Sequence, residues 1–349
     1  MNTEFKPPTD LQVAEESATS VPPLRSDGGL GERQRVPLLP PHASRVERDH
    51  ASLLTLPPSR AASDRVAPAG GATARRLDAG RWHFQHGPID LIIGADGEAH
   101  AIEAALERAW ERFQTILPEL VAELPLLRSA VQSATEVRGS VARRMVAACR
   151  PHGAEFITPM AAVAGAVADE LIESFRADQR ILRAYINNGG DIALHLAAGQ
   201  SYAVGLFADL GRIERREGIA LDGELRVDAA LPVRGVATSG WRGRSFSLGI
   251  ADSATVLATS AASADAAATM IGNCVNVDDP AILRQRACEL KDDTDLGARL
   301  VTVSVGALPL DKVETALTLG ARRAEDLIAR GLIHCAALWL QGRVRLIGC

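Results

Sequence analysis

Residues Ser260–Asn276 read "SAASADAAATMIGNCVN", a stretch in which small residues dominate. Within it, Asp265, Thr269 and Asn273 recur every four positions. Four-residue spacing places side chains on one face of an α-helix, about one turn apart. The stretch therefore predicts a closely packed helix that carries one stripe of oxygen-bearing side chains.

Two interpretations of this stripe follow from the residues alone. Asp265 and Thr269 supply the hard oxygen ligands that Mg²⁺ and Ca²⁺ prefer. In the structural alternative, Ser263 caps the helix, Asp265 faces the positive end of its dipole, and Thr269 bonds back to a carbonyl group. Taken by itself, the helix favours the structural alternative, and Asn273 is expected to serve in packing or capping.

Composition excludes several classes of function. The 349 residues are 47% hydrophobic but only 4% aromatic, and the net charge of −5 gives no electrostatic footprint for nucleic acid. The five cysteines form no CxxC pair, which argues against a zinc site or a disulfide framework. We therefore expect a cytoplasmic protein without nucleic-acid or membrane partners, and a homodimer stays open.

The first part of the chain differs from the rest. Residues 1–78 are rich in Pro, Ser, Arg and Gly and have no sustained period of 2 or 3.6 residues. Such a segment buries too little apolar surface to offset the entropy of ordering it. We expect a disordered extension over residues 1–78 and a folded domain over residues 79–349.

The folded part mixes strand and helix patterns without a regular βαβ rhythm, which predicts an α+β fold with mixed or antiparallel sheets and packed helices. Helical spacing indicates helices over residues 98–117, 159–175 and 310–330. Pro118 is expected to end or redirect the first of these helices.

Turn residues predict where the strands reverse. Alternation over residues 81–97 indicates a strand or hairpin arm that turns at Ala95–Gly97. Gly and Asn pairs supply the positive φ values that tight turns require. They predict hairpins at Asn187–Gly190 and at Gln341–Gly342.

The motif "NNGGD" (Asn187–Asp191) allows two interpretations. It can be a plain hairpin turn. Alternatively, the backbone at Asn188, Gly189 and Gly190 approaches a ligand closely, and Asp191 accepts hydrogen bonds from ribose or base hydroxyl groups.

The segment "GVATSGWRGRS" (Gly235–Ser245) offers hydroxyl groups at Thr238 and Ser239, an exposed amide at Gly240, and cations at Arg242 and Arg244. These groups suit a phosphate or pyrophosphate. The alternative is an exposed β-turn with solvated arginines.

Five motifs then occur in a specific order, and that order resembles the ApbE-like superfamily of Mg²⁺-dependent FAD:protein FMN transferases. The motifs are "AVAGAVAD" (Ala162–Asp169), "NNGGDI" (Asn187–Ile192), "ATSG" (Ala237–Gly240), "GIADS" (Gly249–Ser253) and "ADAAAT" (Ala264–Thr269). The chain most resembles the branch of ApbE relatives that also carries "FQHGPIDL" near the start of the domain.

The resemblance implies an ApbE-like fold that binds a flavin nucleotide, FAD or FMN, together with Mg²⁺. It implies Asp265 and Thr269 as metal ligands and Asp252 as the catalytic residue. The cofactor-binding residues that it implies are Asn188, Gly189, Gly190, Asp191, Thr238, Ser239 and Gly240.

The chain departs from the family pattern at positions that matter for catalysis. Ala164 stands where the resemblance implies a lysine, and Gly249 and Ser253 stand where it implies a histidine and a proline. Three functions therefore stay open: transfer or hydrolysis at a pyrophosphate, non-catalytic flavin binding, and a scaffold that keeps the fold without a ligand.

Overall fold

The computed structural model describes residues 71–133, 136–206 and 222–349, together with the backbone of two short strands, β1 (Phe5–Lys6) and β2 (Arg65–Val66). The helices are α1 (Ala99–Ala122), α2 (Leu124–Leu127), α3 (Ser140–Cys149), α4 (Val163–Arg176), α5 (Ala261–Cys274), α6 (Ala287–Leu290) and α7 (Leu310–Ala329). The remaining strands are β3 (Thr73–Arg76), β4 (Trp82–His86), β5 (Ile89–Gly97), β6 (Ile181–Asn188), β7 (Asp191–Leu196), β8 (Ser201–Leu206), β9 (Gly223–Asp228), β10 (Gly235–Ser239), β11 (Ser253–Ala258), β12 (Ile282–Arg286), β13 (Leu300–Val305), β14 (Cys335–Leu340) and β15 (Arg343–Ile347).

A ten-stranded sheet with the order β15-β14-β11-β10-β7-β6-β5-β4-β3-β2 forms the centre of the molecule. Its neighbouring strands are antiparallel, as are those of the smaller sheets β1-β9-β8 and β12-β13. The prediction of an α+β fold built on antiparallel sheets and packed helices is confirmed.

Helices cover one face of the large sheet, which we call the helix face. α1 packs on β4 and β5, α4 on β6 and β7, α5 on β10 and β11, and α7 on β14 and β15. On the opposite face, side chains of β8 and β9 share a hydrophobic core with Ile92 and Leu257 of the large sheet. The chain thus forms a layered α+β structure.

The alanines of α5 reflect its central position. Ala262 and Ala266 belong to the hydrophobic core that contains α4, whereas Ala264 and Ala267 belong to the core that contains α7. Because α5 is buried between two helices and the sheet, small side chains allow close contact on several sides at once. The prediction of a closely packed helix is therefore confirmed.

Two local predictions were wrong. The turn after β4 lies at Gly87–Pro88, not at Ala95–Gly97, because β5 continues pairing with β6 as far as Gly97. α1 also continues through Pro118 to Ala122. Proline removes one helical hydrogen bond, but burial of Ile116 and Leu120 on either side of it stabilises the longer helix.

The sheet begins before residue 79. β3 pairs with β4, and Ala72 and Ala74 are both 1% exposed. β1 and β2 also fall within the predicted extension, whose other residues up to 70 lie outside the described residues. Among the described helices, none combines the length and the apolar character needed to cross a bilayer.

Candidate functional site

The first turns of α4 and α5 meet at one point on the helix face. A Cβ atom placed on Gly165 would lie 2.3 Å from the carbonyl oxygen of Ala261, so the two backbones are in direct contact. The Asp265 Oδ2 atom accepts a hydrogen bond of 3.0 Å from the Gly165 amide, and the Ala164 amide also donates to this carboxylate. Asp265 of α5 therefore caps the N-terminus of α4.

A second carboxylate makes the opposite connection. Asp169 of α4 accepts hydrogen bonds from the Ala261 amide at 3.0 Å and the Ala262 amide at 2.8 Å. Each of the two helices thus supplies the carboxylate that binds the first amides of the other. We call Asp169 and Asp265 the reciprocal caps.

The structural alternative for the stripe on α5 is only partly right. Ser260, not Ser263, is the N-cap of α5, and its hydroxyl oxygen accepts a hydrogen bond from the Ser263 amide. Asp265 faces the dipole of α4 rather than that of its own helix. Asn273 binds the loop between β10 and β11, because its Oδ1 atom accepts a hydrogen bond of 3.0 Å from the Leu248 amide.

Asp191 lies close enough to Asp265 for the two carboxylates to interact electrostatically. Its Oδ1 atom accepts a hydrogen bond of 3.2 Å from the Thr238 amide. Burial raises the pKa of Asp191 to about 7, against the effect of that hydrogen bond. Burial, followed by the charge of Asp191, raises the pKa of Asp265 well above its usual range. A proton or a cation between the two groups would relieve their repulsion.

The "NNGGD" motif forms the turn between β6 and β7, as predicted. Gly189 and Gly190 have φ values of +67° and +115°, which favour glycine. The Asn188 Nδ2 atom donates a hydrogen bond of 3.1 Å to the Ala164 carbonyl oxygen. The turn is therefore attached to the first turn of α4, beside the reciprocal caps.

The "ATSG" segment contributes unequally to this site. The Thr238 hydroxyl is 2.9 Å from that of Thr255 on the neighbouring strand. Ser239 points to the other face of the sheet, towards Gly272 of α5, because side chains alternate along a strand. Gly240 packs against the Asp252 backbone, where a Cβ atom would lie 2.4 Å from the carbonyl oxygen.

Asp252 has other partners. Its Oδ1 atom accepts a hydrogen bond of 3.2 Å from the Trp241 indole, and its Oδ2 atom accepts one of 2.6 Å from the Gln341 amide. This carboxylate joins the loop after β10 to the turn between β14 and β15. The structure thus brings Asp191 and Asp265 together and gives Asp252 a separate set of contacts.

The two substituted family positions differ in the space around them. Ala164 is half-buried at the start of α4, next to the Asp265 carboxylate. At Gly249, a Cβ atom would lie 2.1 Å from the Gly272 carbonyl oxygen. No side chain fits at Gly249 without moving the backbone, so the absence of histidine there is part of the packing around α5.

A surface cleft of about 620 Å³ lies elsewhere, between the end of α1 and the start of α3. Its lining includes Glu119, Glu123 and Glu136, and none of the predicted site residues. Because these three carboxylates outnumber the one cation of the lining, Arg138, the cleft is a poor candidate for an anionic nucleotide.

Sequence reasoning did not select Asp169 or Gly165 as site residues. Both lie in "AVAGAVAD", where the isolated glycine within a helical pattern was a signal of close packing.

Comparisons with known proteins identify the family of the chain. Residues 74–346 match the family model described as "AbpE bacteria". The chain belongs to the AbpE family. The ApbE-like resemblance drawn from the five motifs is thereby confirmed.

Relatives of this AbpE-family chain include proteins of methanogenic archaea. It is 35% identical over 207 residues to a UPF0280 protein of Methanopyrus kandleri, covering 58% of this chain and 78% of that protein. It is 36% identical over 199 residues to a UPF0280 protein of Methanosarcina barkeri, covering 56% and 72%. A crystal structure of the ApbE protein from Thermotoga maritima matches 79% of this chain and 97% of that one, with a TM-score of 0.41 and 13% identity.

Proposed function

We propose that this chain binds a flavin nucleotide, FAD or FMN, together with Mg²⁺ where α4, α5 and β7 meet. The observation that carries the proposal is the packing of α5, which carries Asp265, against β7, which carries Asp191. The two carboxylates repel each other, and a bound cation would relieve that repulsion. Family membership adds support. Four of the five motifs, all except "GIADS", are joined here by the hydrogen bonds of Asp265, Asn188 and Asp191.

The residues present suit Mg²⁺, which takes only part of its ligands from the protein, better than a metal ion that is coordinated entirely by protein side chains. Among the described residues, no three His, Cys, Asp or Glu side chains come together to hold an ion. Mg²⁺ commonly uses one or two carboxylates and completes its shell with water and substrate phosphates. Asp265 and Thr269 would supply a carboxylate and a hydroxyl group, and the nucleotide would supply phosphate oxygens.

The turn between β6 and β7 offers groups for an anionic ligand. A Cβ atom placed on Gly189 would lie 3.0 Å from the Arg244 Nη1 atom, so this guanidinium lies over the turn. Guanidinium and backbone amide groups both suit phosphate oxygens. We assign the phosphates to this turn, Ser239 and Gly240, and polar contacts with the nucleotide to Asn188, Asp191 and Thr238.

A bound Mg²⁺ would neutralise charge that develops on a pyrophosphate during transfer or hydrolysis, with Asp252 as the proposed catalytic carboxylate. A specific observation favours a second function, non-catalytic flavin binding. Gly249 has no room for the histidine that the transferase resemblance implies, and Ala164 lacks the lysine amine. In either case the free thiols of all five cysteines support a cytoplasmic setting for the protein.

Calorimetric titration of FAD into the full chain, with and without Mg²⁺, tests the binding proposal. We expect heat of binding that depends on Mg²⁺ and is lost in Asp265→Asn. Glu173→Gln is the matched control, because it removes an exposed carboxylate from α4, away from the site. Absence of binding in the wild type would leave the scaffold function, and unchanged binding in Asp265→Asn would remove the metal assignment.

Chromatography of the same FAD and Mg²⁺ mixture separates an enzyme from a binding module. Appearance of FMN and AMP, or of a flavin-modified protein, would establish reaction at the pyrophosphate. FAD that binds but stays intact would establish the non-catalytic function.

A further inference from the structure

Asp169 is the most deeply buried carboxylate near the proposed metal site. It is 3% exposed, and both of its oxygen atoms accept amide hydrogen bonds from α5. Burying a carboxylate is unfavourable unless hydrogen bonds or charges compensate it. Both oxygen atoms of Asp169 therefore act on the N-terminus of α5.

The two reciprocal caps are mechanically connected. Asp169 holds the amides of Ala261 and Ala262, and Asp265 lies about one turn further along the same helix. The contact at Gly165 leaves no gap through which α5 could shift towards α4. The position of the first two α5 amides therefore sets the position of the Asp265 carboxylate relative to α4.

The partner carboxylate depends on the same peptide segment. Asn188, which precedes Asp191 by three residues, donates its hydrogen bond to the Ala164 carbonyl oxygen. Asp265 receives its bond from Gly165. Residues 164–165 thus connect the turn that precedes Asp191 with the carboxylate of Asp265.

We infer that Asp169 is a positioning residue for the proposed metal site, which it serves by fixing the N-terminus of α5 and so the Asp265 carboxylate. This inference rests on the proposed function. Mg²⁺ requires nearly ideal octahedral geometry, so a small displacement of one carboxylate lowers its affinity. Substitution of groups that orient metal ligands typically weakens metal binding by about 10–100-fold.

Mg²⁺ titration by calorimetry, with no nucleotide present, tests this inference on the full chain. Asp169→Asn keeps the shape of the side chain but replaces one acceptor oxygen with an amide donor. We expect it to weaken Mg²⁺ binding by at least about 10-fold while the far-ultraviolet circular dichroism stays that of the wild type. Glu173→Gln, which neutralises an exposed carboxylate on the same helix, is expected to bind Mg²⁺ as the wild type does.

Hydrogen exchange at the Gly165 amide provides a readout that needs no metal. If Asp169 positions Asp265, Asp169→Asn speeds exchange at Gly165, although Asp169 itself makes no bond to that amide. Asp169→Ser, which keeps a hydroxyl acceptor in the buried position, serves as the second variant should Asp169→Asn fail to fold.

The outcomes separate the two proposals. Wild-type Mg²⁺ affinity in a folded Asp169 variant overturns the positioning role, even if its thermal stability falls. Wild-type Mg²⁺ affinity in Asp265→Asn, or no Mg²⁺ binding by the wild type even when FAD is present, overturns the proposed metal site. In that case exchange at Gly165 still decides whether Asp169 positions Asp265: an unchanged rate contradicts it.

Discussion

Single carboxylates in this protein bind backbone amides that lie far away in the sequence. Asp191, Asp169, Asp252 and Asp265 accept amide hydrogen bonds from partners 47, 92, 89 and 100 residues away, respectively. Residue type and local spacing showed that these carboxylates were candidates for chemistry. They did not reveal the partners, because each bond forms only after distant elements have packed.

His152 is a buried imidazole whose protonation opposes folding. It is 3% exposed, and its Nδ1 atom has no hydrogen-bond partner in the part of the chain that the structure describes. Burial, and then the charges of Arg323 and Arg330, lower the pKa of His152 to about 4. The unfolded chain therefore binds this proton more readily than the folded chain between about pH 6.5 and pH 4.

We predict that the free energy of unfolding depends less on pH in His152→Gln than in the wild type. Because the pKa of His152 is lower in the folded chain, the neutral imidazole contributes fully to the free energy of unfolding above about pH 6.5. That contribution is lost as the pH falls towards 4, and the free energy of unfolding decreases by at most about 1.4 kcal/mol per pH unit. Urea denaturation at pH 7.5 and pH 5.0 measures it. The exposed His100, changed to Gln, is the control, and equal pH dependence in the wild type and His152→Gln would contradict the prediction.

Among the secondary-structure elements, the helices with clear periodicity were predictable, and the short elements were not. Helical spacing located α5 and α7 closely, whereas α3 and β12 had no clear pattern and were not predicted. A short element has few residues from which to establish a period, so tertiary packing decides its conformation.

The contact between α4 and α5 predicts opposite effects for two glycine substitutions. Gly165→Ala would place a Cβ atom 2.3 Å from the Ala261 carbonyl oxygen, so we expect about 1–3 kcal/mol of destabilisation. At Gly272, within α5, the nearest atoms to a Cβ lie 3.8 Å away. Gly272→Ala should therefore be neutral or stabilising by up to about 1 kcal/mol, through helix propensity.

Chemical denaturation of both variants measures these effects at constant pH. Similar stability of Gly165→Ala and Gly272→Ala would contradict the close contact between the two helices.

For the whole molecule, the start of the folded region is the clearest difference between sequence and structure. Polar composition suggested residue 79, but β3 begins at Thr73 and the family match begins at residue 74. The segment "TARR" is too short and too charged to be recognised as a strand by itself. Pairing with β4 and burial of Ala74 against the core stabilise it.

We predict that a chain of residues 71–349 is more stable than one of residues 79–349. The shorter chain loses β3, which leaves one edge of β4 unpaired, since β4 still pairs with β5, and uncovers part of the core around Phe84. Thermal unfolding followed by circular dichroism compares the two chains. Equal melting temperatures would show that β3 contributes nothing to stability and would favour the boundary at residue 79.

The sequence by itself determined the α+β class, the helical stripe of α5, the hairpins at Gly189–Gly190 and Gln341–Gly342, and the ApbE-like motif order. Each of these depends on local periodicity, turn chemistry or a short motif. Tertiary structure alone decided that Asp265 caps α4, that Asp169 caps α5 in return, and that Gly249 has no room for a side chain. Those features depend on distances between elements remote in sequence, which are set when the helices pack together on the sheet.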